Sequence, residues 1–323
     1  DLFLFLIIAS FFFLIFSFPT KRLSNDKIHQ QHFNEKYKIF SINKPMNVSF
    51  CNEKVNLNSD DIWERMDKEL LKNIYWQSNT MLYIKRANKF FPIIEPILKE
   101  NNIPDDFKYL AVIESGLEDV VSPSGAAGFW QILKSTAKEY GLEVNYAIDE
   151  RYNLEKSTLV ACRYLQSAYD KFGSWTMSAA SYNKGQNGIR RLIERQQTNN
   201  FYNLYLNSET SRYIFRILAV KEILENPKEY GFIYRHKDLY VMPEFKTIRI
   251  DSTINDLVGF ANSNGTNYKL LKQFNPWLRT TSLPDKSRRE YFLSRILSCD
   301  LRFEISLSWV LIIDTLLKFF SSN

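Results

Sequence analysis

Ile103-Pro104-Asp105-Asp106-Phe107-Lys108-Tyr109-Leu110-Ala111-Val112-Ile113-Glu114-Ser115-Gly116 is the stretch on which the fold turns. Proline is tolerated at the first helical position, and acidic side chains favour the positive N-terminal end, so the stretch predicts a helix start at Pro104. Phe107, Leu110, Ala111 and Glu114 then recur at i, i+3, i+4 and i+7, which puts the carboxylate on the core-facing stripe. Gly116 predicts the C-terminal cap and places Glu114 in the last turn. Burial and the unpaired carbonyls of a helix end both disfavour a charged carboxylate there. Its pKa is therefore expected to be raised, as suits a general acid near neutral pH. The plainer reading is a helix-end glutamate whose side chain swings out to water.

Downstream, Gly125-Ala126-Ala127-Gly128-Phe129-Trp130-Gln131 reads as a tight turn, and Ser181-Tyr182-Asn183-Lys184-Gly185 as a helix end followed by a second turn. Around these, apolar spacing predicts helices almost throughout residues 61–235. Trp63, Met66, Leu70 and Ile74 mark one, and Leu82 to Phe91 a second that stops before Pro92; Pro92 and Pro96 bracket a short apolar turn through Leu98. Ser135 to Tyr140, Ser157 to Phe172 capped by Gly173, Trp175 to Tyr182, and Tyr213 to Leu224 complete the set, with no strand pattern among them.

Beyond Tyr234 the pattern changes. Phe245 to Ile250 reads as a strand, Ile254 to Ala261 and Tyr268 to Phe274 as short helices, and Tyr291-Phe292-Leu293 as a closing strand, a βααβ module over 240–294. Residues 21–60 are Asn- and Lys-rich without sustained periodicity and read as a polar linker. Residues 1–20 are almost wholly apolar and read as a signal peptide or membrane anchor, implying export to the cell envelope or periplasm. Residues 295–323 form a hydrophobic tail broken by Asp314 and Lys318.

The 323 residues allow two domains, and the net charge of +6 suits an anionic envelope polymer or membrane surface. No dense basic cluster is interleaved with aromatics, so nucleic acid is not an expected partner. Three cysteines are too few for a disulfide framework, and Cys162 reads as a buried thiol. The three histidines form no metal constellation; no metal and no cofactor are expected.

With these residues in view, the chain resembles the membrane-bound lytic murein transglycosylases of the D type, whose catalytic region has the soluble-lytic-transglycosylase fold related to goose-type lysozyme. The resemblance runs from about Trp63 to Tyr230. It rests on Glu114-Ser115, the turn from Gly125 to Gln131, the segment Ser181 to Gly185, and a helix opening at Glu209-Thr210-Ser211-Arg212-Tyr213. Ser181 and Lys184 stand where the family often has alanines, and Tyr152-Asn153 replaces a basic-acidic pair. The βααβ module resembles a LysM domain, a glycan-binding unit, in degenerate form. The implied fold is mainly α, a lysozyme-like all-helical catalytic domain followed by that module.

The resemblance implies cleavage of the MurNAc-GlcNAc bond of peptidoglycan with formation of a 1,6-anhydromuramyl end. Glu114 would be the single acid and base, and Ser115, Gln131, Tyr182, Asn183 and Tyr213 would line the substrate groove, Ser115 bonding substrate or holding Glu114, and Tyr182 and Tyr213 orienting Glu114 or stacking against sugar. Ser115 reads equally as a helix-end cap, Gly125 and Gly128 as mere turn formers, and Trp130 as core. Glycosidases in general use two carboxylates, and Asp149 and Glu150 read as solvated or paired with Arg151. Two other readings stay open: a hydrolytic muramidase, which needs a second base, and a noncatalytic cell-wall-binding protein. The partners implied are glycan strands and, through residues 1–20, a membrane; no protein partner is indicated.

Overall fold

A computed structural model describes residues 25–36, 38–284 and 291–296. The expected anchor over 1–20 and all but the first two residues of the expected tail over 295–323 lie outside them. The chain divides into two compact units, one running through Asn43 and one starting at Lys44. In the first, Asn25–Lys36 forms a helix (α1) whose described side chains are all exposed. Among the described residues no helix is long and apolar enough to cross a membrane.

The second unit opens with a correction. Residues 44–60, expected to belong to a linker, instead fold onto the helical body. Ser49–Phe50 (β1) and Glu53–Lys54 (β2) pair as an antiparallel hairpin. Its turn residues Cys51 and Asn52 both have positive φ, 50° and 65°, the signature of a two-residue primed turn. Phe50 is fully buried and meets Phe107 edge-on at 5.2 Å; Val48, Val55 and Leu57 are buried with it. The polar groups are tied down as well. Asp106 Oδ2 accepts the Cys51 N–H at 2.6 Å and the Lys221 ammonium at 2.7 Å. These partners lie 55 or more residues away, which is why local composition did not reveal them.

Asp60–Tyr75 (α2) buries Ile62, Met66, Leu70 and Ile74, a row at every fourth residue. Gln77–Glu100 (α3) runs straight through Pro92 and Pro96, where a helix end and a separate turn were expected. Both prolines are exposed and four residues apart, so the carbonyls they leave unpaired face water, while Ile94 and Leu98 are buried on the opposite side. A 3-10 turn at Asp105–Phe107 leads into Lys108–Ser115 (α4), in which five consecutive residues from Tyr109 to Ile113 are buried. Gly116 closes it with φ 65°, donating its N–H to Val112 O at 2.8 Å.

Lys134–Glu139 (α5) follows. Leu154–Phe172 (α6) starts three residues before the expected Ser157, because Asn153 supplies the N-cap. Trp175–Lys184 (α7) and Ser208–Glu225 (α9) match the expected helices closely; Gln186–Gln196 (α8) was not anticipated, since it buries Ile189 and is otherwise largely polar. Helix α9 is the hub, with nine buried residues and contacts to α2, α4 and α7.

The last region has the expected order. Phe245–Ile250 (β3) pairs antiparallel with Tyr291–Ile296 (β4), from Phe245↔Ile296 to Ile250↔Tyr291, and between them lie Leu257–Ser263 (α10) and Tyr268–Phe274 (α11). It does not stand apart from the helical body. Ile250, Leu257, Leu271, Trp277, Leu278 and Leu293 share one core with Ala127, Ala147, Ile148 and Tyr152. A strand-like pairing joins them: Ile148 bridges Leu278, the Asp149 N–H reaches Trp277 O at 2.9 Å, and the Arg279 N–H reaches Ala147 O at 2.8 Å. The protein is mostly helical, with a two-stranded sheet in its C-terminal module.

The hairpin also caps a helix. Glu53 accepts the Trp175 N–H at 2.6 Å, the Thr176 N–H at 3.0 Å and the Ser174 hydroxyl at 2.9 Å, placing a carboxylate on the first turn of α7. Glu53→Ala is expected to cost about 1–2 kcal/mol of stability. Urea titration should show a lower midpoint with an unchanged slope.

Candidate active site

Three backbone segments meet at the end of α4. The first is α4 itself. Burial on every side holds it in place, so Glu114, one residue before the helix ends, is held where the core gives way to the surface and is itself half-buried. The second is the C-terminal half of α7, carrying Tyr182 and Asn183. The third is the first half of α9, carrying Glu209 and Tyr213.

Tyr213 is fully buried and its hydroxyl donates a hydrogen bond to Glu114 Oε1. Oε2 has no partner among the described residues. Loss of hydration raises the Glu114 carboxyl above its ordinary value; the Tyr213 hydrogen bond and the Arg216 charge pull it back, and the Glu209 charge adds a small further rise. Arg216 is oriented by donating to Ile113 O at 2.6 Å. The phenols of Tyr182 and Tyr213 are driven well above their usual range, first by burial and then by the nearby Glu114 charge. Both remain neutral donors.

The expected site residues divide by what their polar atoms already do. Ser115 serves the backbone: its hydroxyl lies 2.9 Å from Phe129 O and accepts the Leu117 N–H at 3.1 Å, joining the end of α4 to the glycine turn. Tyr182 donates to Trp130 O at 2.8 Å. Gln131 adopts φ 46°, and its amide nitrogen donates to Gly128 O at 2.9 Å and Val120 O at 3.0 Å. Its amide oxygen is the end with no partner among the described residues. Asn183 bridges α7 to α9, donating to Glu209 Oε1 at 2.8 Å and accepting from Thr210 Oγ1 at 2.7 Å. Glu114, Tyr182 and Tyr213 are thus gathered electrostatically, while Ser115, Gln131 and Asn183 brace the walls.

Trp130 is a core residue. It is fully buried, with Nε1 donating to Thr158 Oγ1 at 2.8 Å. Gly128 is required by the protein's own chain: at φ 76°, a Cβ there would lie 2.1 Å from the carbonyl oxygen of Arg151. Asp149 and Glu150 are not solvated. Both are buried; Asp149 binds Arg151 at two points, 2.9 and 2.7 Å, and Glu150 pairs with Lys156. Arg151 in turn donates to Gly125 O at 2.7 Å and Ile132 O at 3.1 Å, gripping both ends of the glycine turn.

Glu209 and Arg216 were missed in the sequence. Glu209, Tyr213 and Arg216 are spaced four and three residues apart on one helix, so the face that carries Tyr213 carries them too. Among the described residues no group of His, Cys, Asp and Glu could hold a metal ion, and Cys51 and Cys162 are buried free thiols.

Comparison with known proteins shows what the chain is similar to. The transglycosylase SLT domain family matches residues 91–205, and the soluble lytic transglycosylase C-terminal LysM-like domain family matches residues 246–294. Membrane-bound lytic murein transglycosylase D of Escherichia coli, in strain K12 and in strain O6:H1 alike, is 29% identical over 231 residues, covering 70% of this chain and 50% of that protein. The chain therefore spans about half the length of these relatives. The 70 kDa soluble lytic transglycosylase of Escherichia coli overlays 64% of this chain and 43% of its own with a TM-score of 0.38 and 18% identity.

A carboxyl whose folded-state pKa lies above its unfolded value holds its proton more tightly when folded. Its ionisation therefore costs stability, beginning as pH rises past about 4 and complete above the folded-state value. Glu114→Gln is expected to raise the thermal midpoint at neutral pH. The gain should fade as the pH is lowered through the folded-state value and be gone by about 4. Melting curves of both proteins across that range check it.

Proposed function

We propose that this chain, which carries a transglycosylase SLT domain followed by a LysM-like domain of the soluble-lytic-transglycosylase type, is a peptidoglycan lytic transglycosylase. The observation that carries this reading is the half-buried Glu114, within the SLT-matched segment, with its carboxyl raised and one oxygen held by Tyr213.

The chemistry follows from that arrangement. Because Tyr213 donates to Oε1, the acid proton resides on Oε2. Glu114 passes this proton to the glycosidic oxygen between N-acetylmuramic acid and N-acetylglucosamine, and the bond from that oxygen to C1 breaks. The muramyl C6 hydroxyl attacks the oxocarbenium-like C1, and its proton goes to the Glu114 carboxylate. The acid is regenerated, no water is consumed, and the product ends in a 1,6-anhydro ring. One carboxylate suffices because the nucleophile belongs to the substrate. Tyr213 positions Glu114, Tyr182 supports the turn beside it, and the open amide oxygen of Gln131 and the second N–H of Asn183, whose oxygen and first N–H already tie α7 to α9, meet hydroxyl or acetamido groups. Residues 1–20 act as signal peptide or anchor and place the enzyme in the cell envelope; the relative's name, membrane-bound, is in keeping with this.

One observation bears on the hydrolytic reading. Glu209 is the carboxylate whose charge reaches Glu114. Its Oε1 accepts the Asn183 amide, so only Oε2 is left to serve as the second base that hydrolysis needs.

Purified protein incubated with peptidoglycan is expected to release muropeptides one water lighter than hydrolytic products, read by mass spectrometry. Glu114→Gln should lower the rate by at least about 10²–10⁴-fold while remaining folded. Reducing-end products in place of anhydro ends would establish a hydrolase, and binding without any product a cell-wall-binding protein. Tyr213→Phe removes a hydrogen bond that favours the ionised carboxylate. The Glu114 pKa should rise further, and the alkaline limb of the pH-rate profile should move to higher pH.

A further inference from the structure

The C-terminal module brings a cation beside Tyr152 and Asp119, neighbours in sequence of residues that brace the glycine turn, and leaves most of its hydrogen-bonding capacity unused among the described residues. Arg279 is fixed at its backbone by the pairing with Ala147. Its guanidinium lies over the ring of Tyr152 at 4.4 Å from the centroid. Tyr152 directly follows Arg151, the residue that grips the glycine turn. On the other side, the Arg279 charge acts on Asp119, whose carboxyl is pushed up to about 6 by its crowded surroundings and held back by Arg279. Asp119 precedes Val120, whose carbonyl accepts the Gln131 amide. Tyr152 and Asp119 therefore flank one exposed guanidinium.

A guanidinium has five N–H donors. Among the described residues one is used, Nη1 donating to Pro276 O at 3.1 Å, and no ion pair is formed. A planar cation held over an aromatic ring, with donors to spare, is suited to two parallel hydrogen bonds to a carboxylate. In intact peptidoglycan the lactyl carboxyl of the muramyl sugar is consumed in the amide to the peptide, so the carboxylates of the strand belong to the peptide stems. Resting on the transglycosylase reading, we propose that Arg279 is a substrate-binding residue that takes a carboxylate of the peptide stem, so that the LysM-like module forms part of the substrate groove. Asp119 stands beside it as an acceptor for a stem N–H.

The test is a cycle between protein and substrate. Wild type, R279Q and R279K are assayed for anhydro-end formation on native strands and on strands whose stem carboxylates have been converted to amides with carbodiimide and methylamine. R279Q is expected to raise KM on native strands about tenfold, the loss of one charge-assisted pair, with kcat little changed. Amidated strands should raise the wild-type KM to the same level and leave that of R279Q within about twofold. R279K, a cation without the fork, should fall between. An unchanged KM for R279Q on native strands overturns the proposal, as does amidation that penalises R279Q as much as wild type. A loss of kcat and thermal midpoint in place of KM makes Arg279 a structural residue and also overturns it. A wild-type chain that forms anhydro ends on neither substrate overturns instead the function on which the proposal rests.

Discussion

The hydrogen bond from Tyr213 to Glu114 joins the two helices around which the molecule is built. Neither partner could move without a large cost, because Tyr109 to Ile113 are buried one after another and α9 buries nine residues against three other helices. Burial raises the carboxyl, and the phenol limits that rise while fixing which oxygen keeps the proton. Burial alone favours the protonated carboxyl, and full hydration the ionised one. The site opposes the effect of burial on Glu114 with a donor from a segment 99 residues away.

Around this pair, the walls are held by polar side chains acting on the backbone. Ser115 bonds the Phe129 carbonyl, Tyr182 the Trp130 carbonyl, Gln131 the Val120 and Gly128 carbonyls, and Arg151 those of Gly125 and Ile132. The turn from Gly125 to Gln131 has little regular structure of its own, so its carbonyls need partners when they are taken from water. That requirement explains why residues expected to touch substrate turn out to be braces first. A brace keeps one end free, as Gln131 does with its amide oxygen, and such an end can be aimed because the other is fixed.

The C-terminal module is attached at the same place. Asp149 offers its N–H to Trp277 and its carboxylate to Arg151, so one residue links the module to the grip on the turn. Ala127, inside the turn, lies in the module's core. A flexibly tethered glycan-binding unit would need none of this.

Much of the architecture was legible from local pattern. The stripe ending at Glu114, the glycine cap at 116, the helices over 154–172, 175–184 and 208–225 and the βααβ order each depend on residues within a few positions of one another. Those interactions recur at fixed spacing and leave a periodic trace. The hairpin at 49–54, the continuation of α3 through its prolines, the clamp of Arg151 and the shared core of the module leave none. Each is decided by a partner far along the chain or by which side of a helix faces water. Sequence determined that Glu114 would stand at a helix end on an apolar face. Tertiary structure decided that Tyr213 bonds Glu114, one of the two roles open to it, and that the expected groove residues are partly spent on the backbone, because hydrogen bonds between distant segments exist only once packing has brought them together and removed the water that would otherwise serve them.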